Sequence, residues 1–220
     1  VVHSGQVTLK TPDQTLQLTV GGSAVIGRGS VVQIEAQEGT QWAFCSVTTA
    51  LPTPGLTLLD PSAQLSPSAA PEPQILIGPT PQCRSRNAFE DNATDLRVGV
   101  WDSTPYTRHG RGHKLNELMH LIEGSVTLTA DDGASVTVDT GDSVFVAQGA
   151  PCAWQSTRYV RKVYAERAQA MGDALRQELG DAIEFVQPQG GLFVWARLTG
   201  AGGKVADGNV LAKRAIEKGV

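Results

Sequence analysis

The stretch that decides the fold is Arg111-Gly-His113-Lys-Leu-Asn-Glu117-Leu-Met-His-Leu-Ile-Glu-Gly124, followed by Gly141-Asp-Ser-Val-Phe-Val-Ala-Gln-Gly149-Ala-Pro-Cys152. Along a β-strand successive side chains face opposite sides, so residues an even number apart share a face. Arg111, His113 and Glu117 therefore point the same way if the segment stays extended. The run Leu118-Met-His-Leu-Ile122 is largely apolar and belongs in a core. Gly124 permits a tight bend into Ser125-Val-Thr-Leu-Thr129, an alternating strand. Ala130-Asp-Asp-Gly133 is a hairpin turn, because Asp and Gly tolerate positive φ. Ser135-Val-Thr-Val-Asp139 returns, Gly141-Asp142 turns again, and Ser143-Val-Phe-Val146 is a further short strand. Short strands at regular spacing with glycine turns predict a sandwich or barrel.

Length and charge narrow the classes. The chain has 220 residues, enough for one or two domains. A net charge of −4 argues against a nucleic-acid or anionic-membrane partner. No apolar run reaches the roughly eighteen residues that a membrane helix needs. The opening Val1-Val-His-Ser-Gly5 lacks the basic flank and apolar segment of a signal peptide. Cys45, Cys83 and Cys152 are odd in number and far apart, which fits a reducing, cytoplasmic setting.

The chain also repeats itself. Val1-Val-His-Ser-Gly-Gln-Val-Thr-Leu-Lys10 matches His120-Leu-Ile-Glu-Gly-Ser-Val-Thr-Leu-Thr129, and Gly5, Gly21 and Gly29 answer to Gly124, Gly141 and Gly149. The offset is 119 to 120 residues. A repeat of that length means two copies of one domain, the first lacking its leading half. Val32 stands where Cys152 stands in the second copy, so the first half-copy offers no metal ligand. Residues 1–50 are then a partial repeat and 84–165 a complete one. Between them, 51–83 is a Pro- and Ser-rich connector with short strands at Leu56–Leu59 and Ile75–Ile77.

The motif in the complete copy resembles the two-part signature of the cupins, His-x-His-x3-Glu-x6-Gly and Gly-x5-Pro-x-Gly-x2-His. Glu117-x6-Gly124 and Gly141-x7-Gly149 keep the spacing. Arg111 replaces the first His, Ala147 the Pro and Cys152 the last His. The resemblance implies a mainly β, jelly-roll barrel. Trp101-Asp-Ser-Thr-Pro105, the lone Glu117 and the ending Trp154…Arg161-Lys-Val-Tyr164 are similar to the branch that includes ureidoglycine aminohydrolases. That implies a small nitrogenous or carboxylate metabolite as ligand and a homodimer, whose half-barrel at 1–50 has open strand edges that invite another chain.

At about Glu166 the alternation stops, and 166–220 reads as a small α+β segment. Helices are expected over Arg167–Leu179 and Val210–Lys218, and strands over Ile183–Val186 and Leu192–Leu198. Pro188-Gln-Gly-Gly-Leu-Phe-Val-Trp195 and Ala215-Ile-Glu-Lys-Gly-Val220 resemble the small domain of aspartate-aminotransferase-like enzymes. Those enzymes hold pyridoxal phosphate in a large domain with no counterpart here. Neither that cofactor nor transamination is therefore expected of this chain.

For the barrel, the candidate catalytic residues are Glu117 and His113. With Cys152 they form a candidate set for one divalent metal, Mn, Fe, Ni or Zn, which would polarise a carbonyl or activate water. The alternative is a metal-free hydrogen-bonded pair, with Cys152 as core packing. Arg111 is either a carboxylate clamp or a rim residue. Trp101, Trp154 and Tyr164 either line a substrate pocket or fill the core. Arg108, His109 and Arg111 are expected on a positively charged loop, and His120 faces away from the barrel interior. Three functions remain open: a metal-dependent cupin hydrolase, a metal-free small-molecule module, and a fusion or truncation product.

Overall fold

A computed structural model of the chain describes residues 1–49, 52–92 and 94–167, two strands at 183–185 and 196–198, and the helical Lys213. The N-terminal segment carries β1 (Val2–Ser4), β2 (Val7–Lys10), β3 (Thr15–Leu18), β4 (Ser23–Ile26), β5 (Gln33–Ala36) and β6 (Gln41–Trp42). After it come β7 (Leu56–Leu59), β8 (Ser66–Ser68), a 3-10 turn at Pro73–Ile75 and β9 (Leu76–Ile77). The barrel proper is β10 (Cys83–Asp91), β11 (Leu96–Ser103), β12 (Tyr106–Gly112), β13 (Asn116–Glu123), β14 (Ser125–Thr129), β15 (Ser135–Asp139), β16 (Ser143–Val146), β17 (Pro151–Ser156) and β18 (Val160–Arg167). Residues 1–168 form one compact unit and 169–220 a second. The second contains β19 (Ile183–Phe185) and β20 (Ala196–Leu198), paired antiparallel.

Among the described residues the barrel is built of two sheets, ordered β16-β13-β18-β11-β10-β8 and β15-β14-β17-β12-β9. Their inner faces come from the alternation in the sequence. Met119 and Leu121 of β13, Val126 and Leu128 of β14, Tyr106 of β12 and Trp154 of β17 share one buried cluster. Each such side chain contributes about 1.5–3 kcal/mol by leaving water. Gly124 is required where it stands. Its φ is +89°, and a Cβ there would lie 2.2 Å from the carbonyl oxygen of Tyr159. Gly5 repeats the requirement, with φ +75° and Thr40 in the way. Pairing repeats as well: β2 lies between β3 and β5 as β14 lies between β15 and β17.

The connector carries short strands where they were expected, β7 at Leu56–Leu59 and β9 at Leu76–Ile77, and β8 extends the β10 edge and β9 the β12 edge. Two expectations are corrected by the strand register. The helix expected from Arg167 does not begin there. Arg167 still pairs with Leu96 and Asn116 in β18, and its Nε donates to the Thr94 carbonyl at 3.0 Å. Arg108, His109 and Arg111 are strand residues of β12, not a loop, with a bulge between Arg108 and Arg111. The expected helices over 168–179 and 210–218 lie outside the described residues, apart from Lys213. No helix among the described residues is long and apolar enough to cross a membrane.

Candidate functional site

Glu117 enters the barrel from β13 beside Met119 and is buried. One of its oxygens, Oε2, lies 3.0 Å from His113 Nε2. The other, Oε1, accepts a hydrogen bond from Lys162 Nζ at 2.5 Å. Lys162 comes from β18, where Val160, Lys162 and Tyr164 alternate inward. Its ammonium also touches Met119 Sδ at 3.0 Å and lies 4.9 Å and 5.5 Å from the ring centres of Trp101 and Trp154. An ammonium against indole faces is attracted by the ring quadrupole, which adds to the ion pair. Burial alone would raise the Glu117 carboxyl. The Lys162 charge and the His113 contact outweigh it and hold the carboxyl down at about 2.

That ionised carboxylate sets the imidazole tautomer. A carboxylate only accepts, so His113 Nε2 must carry the donated proton, and in the neutral ring Nδ1 is then a bare acceptor. Nδ1 is buried and has no hydrogen-bond partner. Arg111 Nε is buried and unpartnered too. Arg111 sits on β12 opposite Cys152, and the backbone just beyond it is tied down by a bond from the His113 N–H to the Ala150 carbonyl at 2.9 Å. Burial and the neighbouring Arg108 charge lower the Arg111 guanidinium from its ordinary value. Arg108 is itself buried and spends Nη1 on the carbonyls of Cys152, at 2.5 Å, and His109, at 3.3 Å. Among the described residues neither arginine has a carboxylate within ion-pair distance.

The aromatic residues have defined places. Trp154 stacks on Tyr106 at 5.5 Å and meets Trp101 edge-on at 6.1 Å. The Tyr164 hydroxyl is bonded to the Asn87 side-chain oxygen. Cys152 is a buried thiol that packs in the core cluster and donates to the Ala153 carbonyl at 3.4 Å. Burial pushes that thiol up, so it is protonated at neutral pH.

The metal implied by the cupin resemblance does not fit this donor arrangement. Both oxygens of Glu117 are engaged, one by an ammonium. Among the described residues no three His, Cys, Asp or Glu side chains gather as a metal-holding group. Alternation in the sequence did not single out Lys162 as a site residue, although its parity with Val160 and Tyr164 carries the signal. Arg108, expected on a positively charged loop, is a buried residue of β12.

The sequence and fold have recognisable relatives. A family model described as a EutQ-like cupin domain matches residues 92–164. The chain is 44% identical over 61 residues to 2-aminoadipate transaminase of Thermus thermophilus, across 28% of this chain, and it spans only 14% of that protein's length. The EutQ protein of Clostridium difficile aligns over 51% of this chain and 86% of its own at 16% identity, with a TM-score of 0.40. A protein of unknown function assigned to the DUF861 family, from Pseudomonas syringae pv. tomato, is 56% identical, with a TM-score of 0.73, over 76% of this chain and 72% of its own. With that identity across most of both chains, this protein belongs to the cupin superfamily, in its DUF861, EutQ-like part.

Proposed function

We propose that the barrel at 84–165 is a metal-independent site for a small nitrogenous carboxylate. The observation that carries this reading is a pair of buried, unpartnered side-chain atoms, Arg111 Nε and His113 Nδ1. Arg111 Nε–H is a charged donor suited to a carboxylate, and His113 Nδ1 is an acceptor suited to a ligand N–H. Leaving such groups unpaired costs free energy that a ligand with both functions returns. The guanidinium charges of Arg108 and Arg111 supply attraction for one anion, while Glu117 and Lys162 neutralise each other. Where the ligand carries an acidic N–H or C–H, His113 is the proton acceptor, and the Glu117 carboxylate steadies the imidazolium that results. Trp101 and Trp154 form the apolar wall.

The ureidoglycine-like placement supports the same ligand class, through Trp101, Trp154 and the lone Glu117. The 61-residue likeness to a transaminase, longer than 166–220 alone, we assign to the C-terminal end of the chain, where Pro188-Gln-Gly-Gly191 and Trp195 stand. In this reading that segment shares ancestry with an aminotransferase small domain and performs no transamination by itself.

The test is calorimetry with N-carbamoylglycine and with its neutral amide, in chelator-treated buffer. The acid is expected to bind and the amide to bind at least about tenfold more weakly, the difference being the Arg111 contact. Arg111→Gln should abolish that preference. Equal affinity for acid and amide, or no binding of either at millimolar concentration, defeats the proposal.

A further inference from the structure

On the reading of the barrel as a site for a nitrogenous carboxylate, on which this rests, we propose that Glu166 selects the ligand by charge. It favours a cationic nitrogen at the end away from the carboxylate, as in an amidino- or amino-carboxylate, over a neutral ureido or amide group. Strand register places the residue. Glu117 of β13 stands directly opposite Glu166 of β18, Glu166 directly opposite Arg97 of β11, and Arg97 directly opposite Glu90 of β10. Directly opposed residues of an antiparallel pair share a face. Glu117 is buried inside the barrel, so Glu166 faces the same interior, in step with Tyr164 and Lys162 along β18. The row runs from the surface inward: Glu90 and Arg97 are exposed, Glu166 is half-buried and Glu117 is buried.

Charge along this row does not balance. Glu90, Glu166 and Glu117 bring three carboxylates, against two cations, Arg97 and Lys162. Lys162 is committed, since its ammonium donates to Glu117 Oε1 at 2.5 Å. Arg97 lies between Glu90 and Glu166 and is within ion-pair distance of neither. Glu90 accepts from the Asn87 amide at 2.6 Å, and the Tyr164 hydroxyl donates to the Asn87 side-chain oxygen, so neither is turned to Glu166. Among the described residues the Glu166 carboxylate has no ion pair. Burial and the Glu117 charge raise its carboxyl above the ordinary value, against the pull of Lys162 and Arg97. A half-buried carboxylate in that state gains from a cation placed beside it. His113 brings the ligand there. Its Nε2 lies 3.0 Å from Oε2 of Glu117, the residue opposite Glu166, and its Nδ1 is the acceptor for the ligand's N–H. With the carboxylate on Arg111, the nitrogen end is the part of a small ligand that meets this row.

The experiment is calorimetry of the full chain with two ligands of one shape, N-carbamoylglycine and guanidinoacetate. They differ only in a neutral carbonyl oxygen against a cationic NH2 group, so Arg111 and His113 meet the same groups in both. Guanidinoacetate is expected to bind at least about tenfold more tightly. Glu166→Gln should bring the two affinities within about threefold of each other. If N-carbamoylglycine binds and guanidinoacetate binds no more tightly, the role of Glu166 is overturned while the carboxylate site stands. If neither binds, both fall. A preference for guanidinoacetate that survives E166Q overturns the role of Glu166 as well. Should E166Q fail to fold, carbon NMR on the wild type decides. The Glu166 carboxyl resonance must move on titration with guanidinoacetate; a resonance that stays in place rules the contact out.

Discussion

At Glu117 a buried carboxylate is held between an imidazole and an ammonium, and its ionisation is worth stability. Its carboxyl titrates at about 2 in the fold, against an ordinary value of 4.5. An acid depressed in this way stabilises the folded state above its unfolded value and loses that contribution as pH falls through the folded one. The contribution is therefore fully present above about pH 5 and is lost between about pH 4.5 and 2, on the order of 3 kcal/mol. Urea midpoints measured across that range should fall for the wild type and fall much less for Glu117→Gln. Lys162→Met leaves the carboxylate buried beside His113 alone. It should cost about 3–5 kcal/mol at neutral pH and move the acid transition upward. A Lys162→Met protein as stable as the wild type would mean that the pair is not closed in solution. The facing of Glu117 was legible from alternation along the strand. Its partner was not, because Lys162 lies 45 residues away and alternation names a face without naming the neighbour on it.

At the scale of elements, one polar link between the N-terminal segment and the barrel is a shared hydroxyl. Ser143 Oγ on β16 lies 3.0 Å from His120 Nδ1 on β13 and 3.0 Å from His3 Nε2 on β1, and the two rings meet edge-on at 5.4 Å. The outward direction of His120 was readable from its parity against Glu117; that a β1 histidine would meet it was not. Burial and the nearby His3 lower His120 to about 4. A base depressed in the fold takes up its proton first in the unfolded chain. This contribution is thus intact above about pH 6.5 and is lost as pH falls toward 4. Ser143→Ala strips a partner from both rings and should cost about 1–2 kcal/mol. Hydrogen exchange should show β1 and β2 opening earlier in that variant while β13 and β18 stay protected. Equal loss of protection in all four strands would make the seam part of one cooperative unit.

For the whole molecule, residues 1–168 and 169–220 form separate compact units. β18 stays paired in the barrel ladder through Arg167. A chain ending at Ala168 should therefore keep the barrel, with its thermal midpoint shifted by no more than a few degrees, about 1 kcal/mol. The readout is calorimetry of that truncation beside the full chain. Collapse of the transition, or a much larger shift, would show that the C-terminal unit is needed for the barrel to fold. Within 1–168 the buried Asp102 gives the barrel a fixed polar anchor. Arg84 binds it at 2.9 and 2.7 Å, Tyr159 at 2.6 Å and Arg161 at 3.2 Å. Burial opposes the Asp102 charge, but these partners outweigh it and hold its carboxyl below the ordinary range.

The sequence by itself determined where strands run and which way many of their side chains face. Glycine spacing, Asp-Gly at the β14–β15 hairpin and alternation in β13 and β14 are local properties, set by backbone sterics and by the period of the strand. The glycine spacing also carried the turns of the N-terminal segment, since Gly5, Gly21 and Gly29 take the same positive φ as Gly124, Gly141 and Gly149. Only the tertiary structure decided which inward residues meet. Strand pairing brought Lys162 of β18 to Glu117 of β13 and Arg108 of β12 to the Cys152 carbonyl of β17, and packing of the N-terminal segment brought His3 to Ser143, across 45, 44 and 140 residues. The physical reason is that a strand's own pattern fixes a face, while the partner on that face depends on which distant strands pair, and in what register.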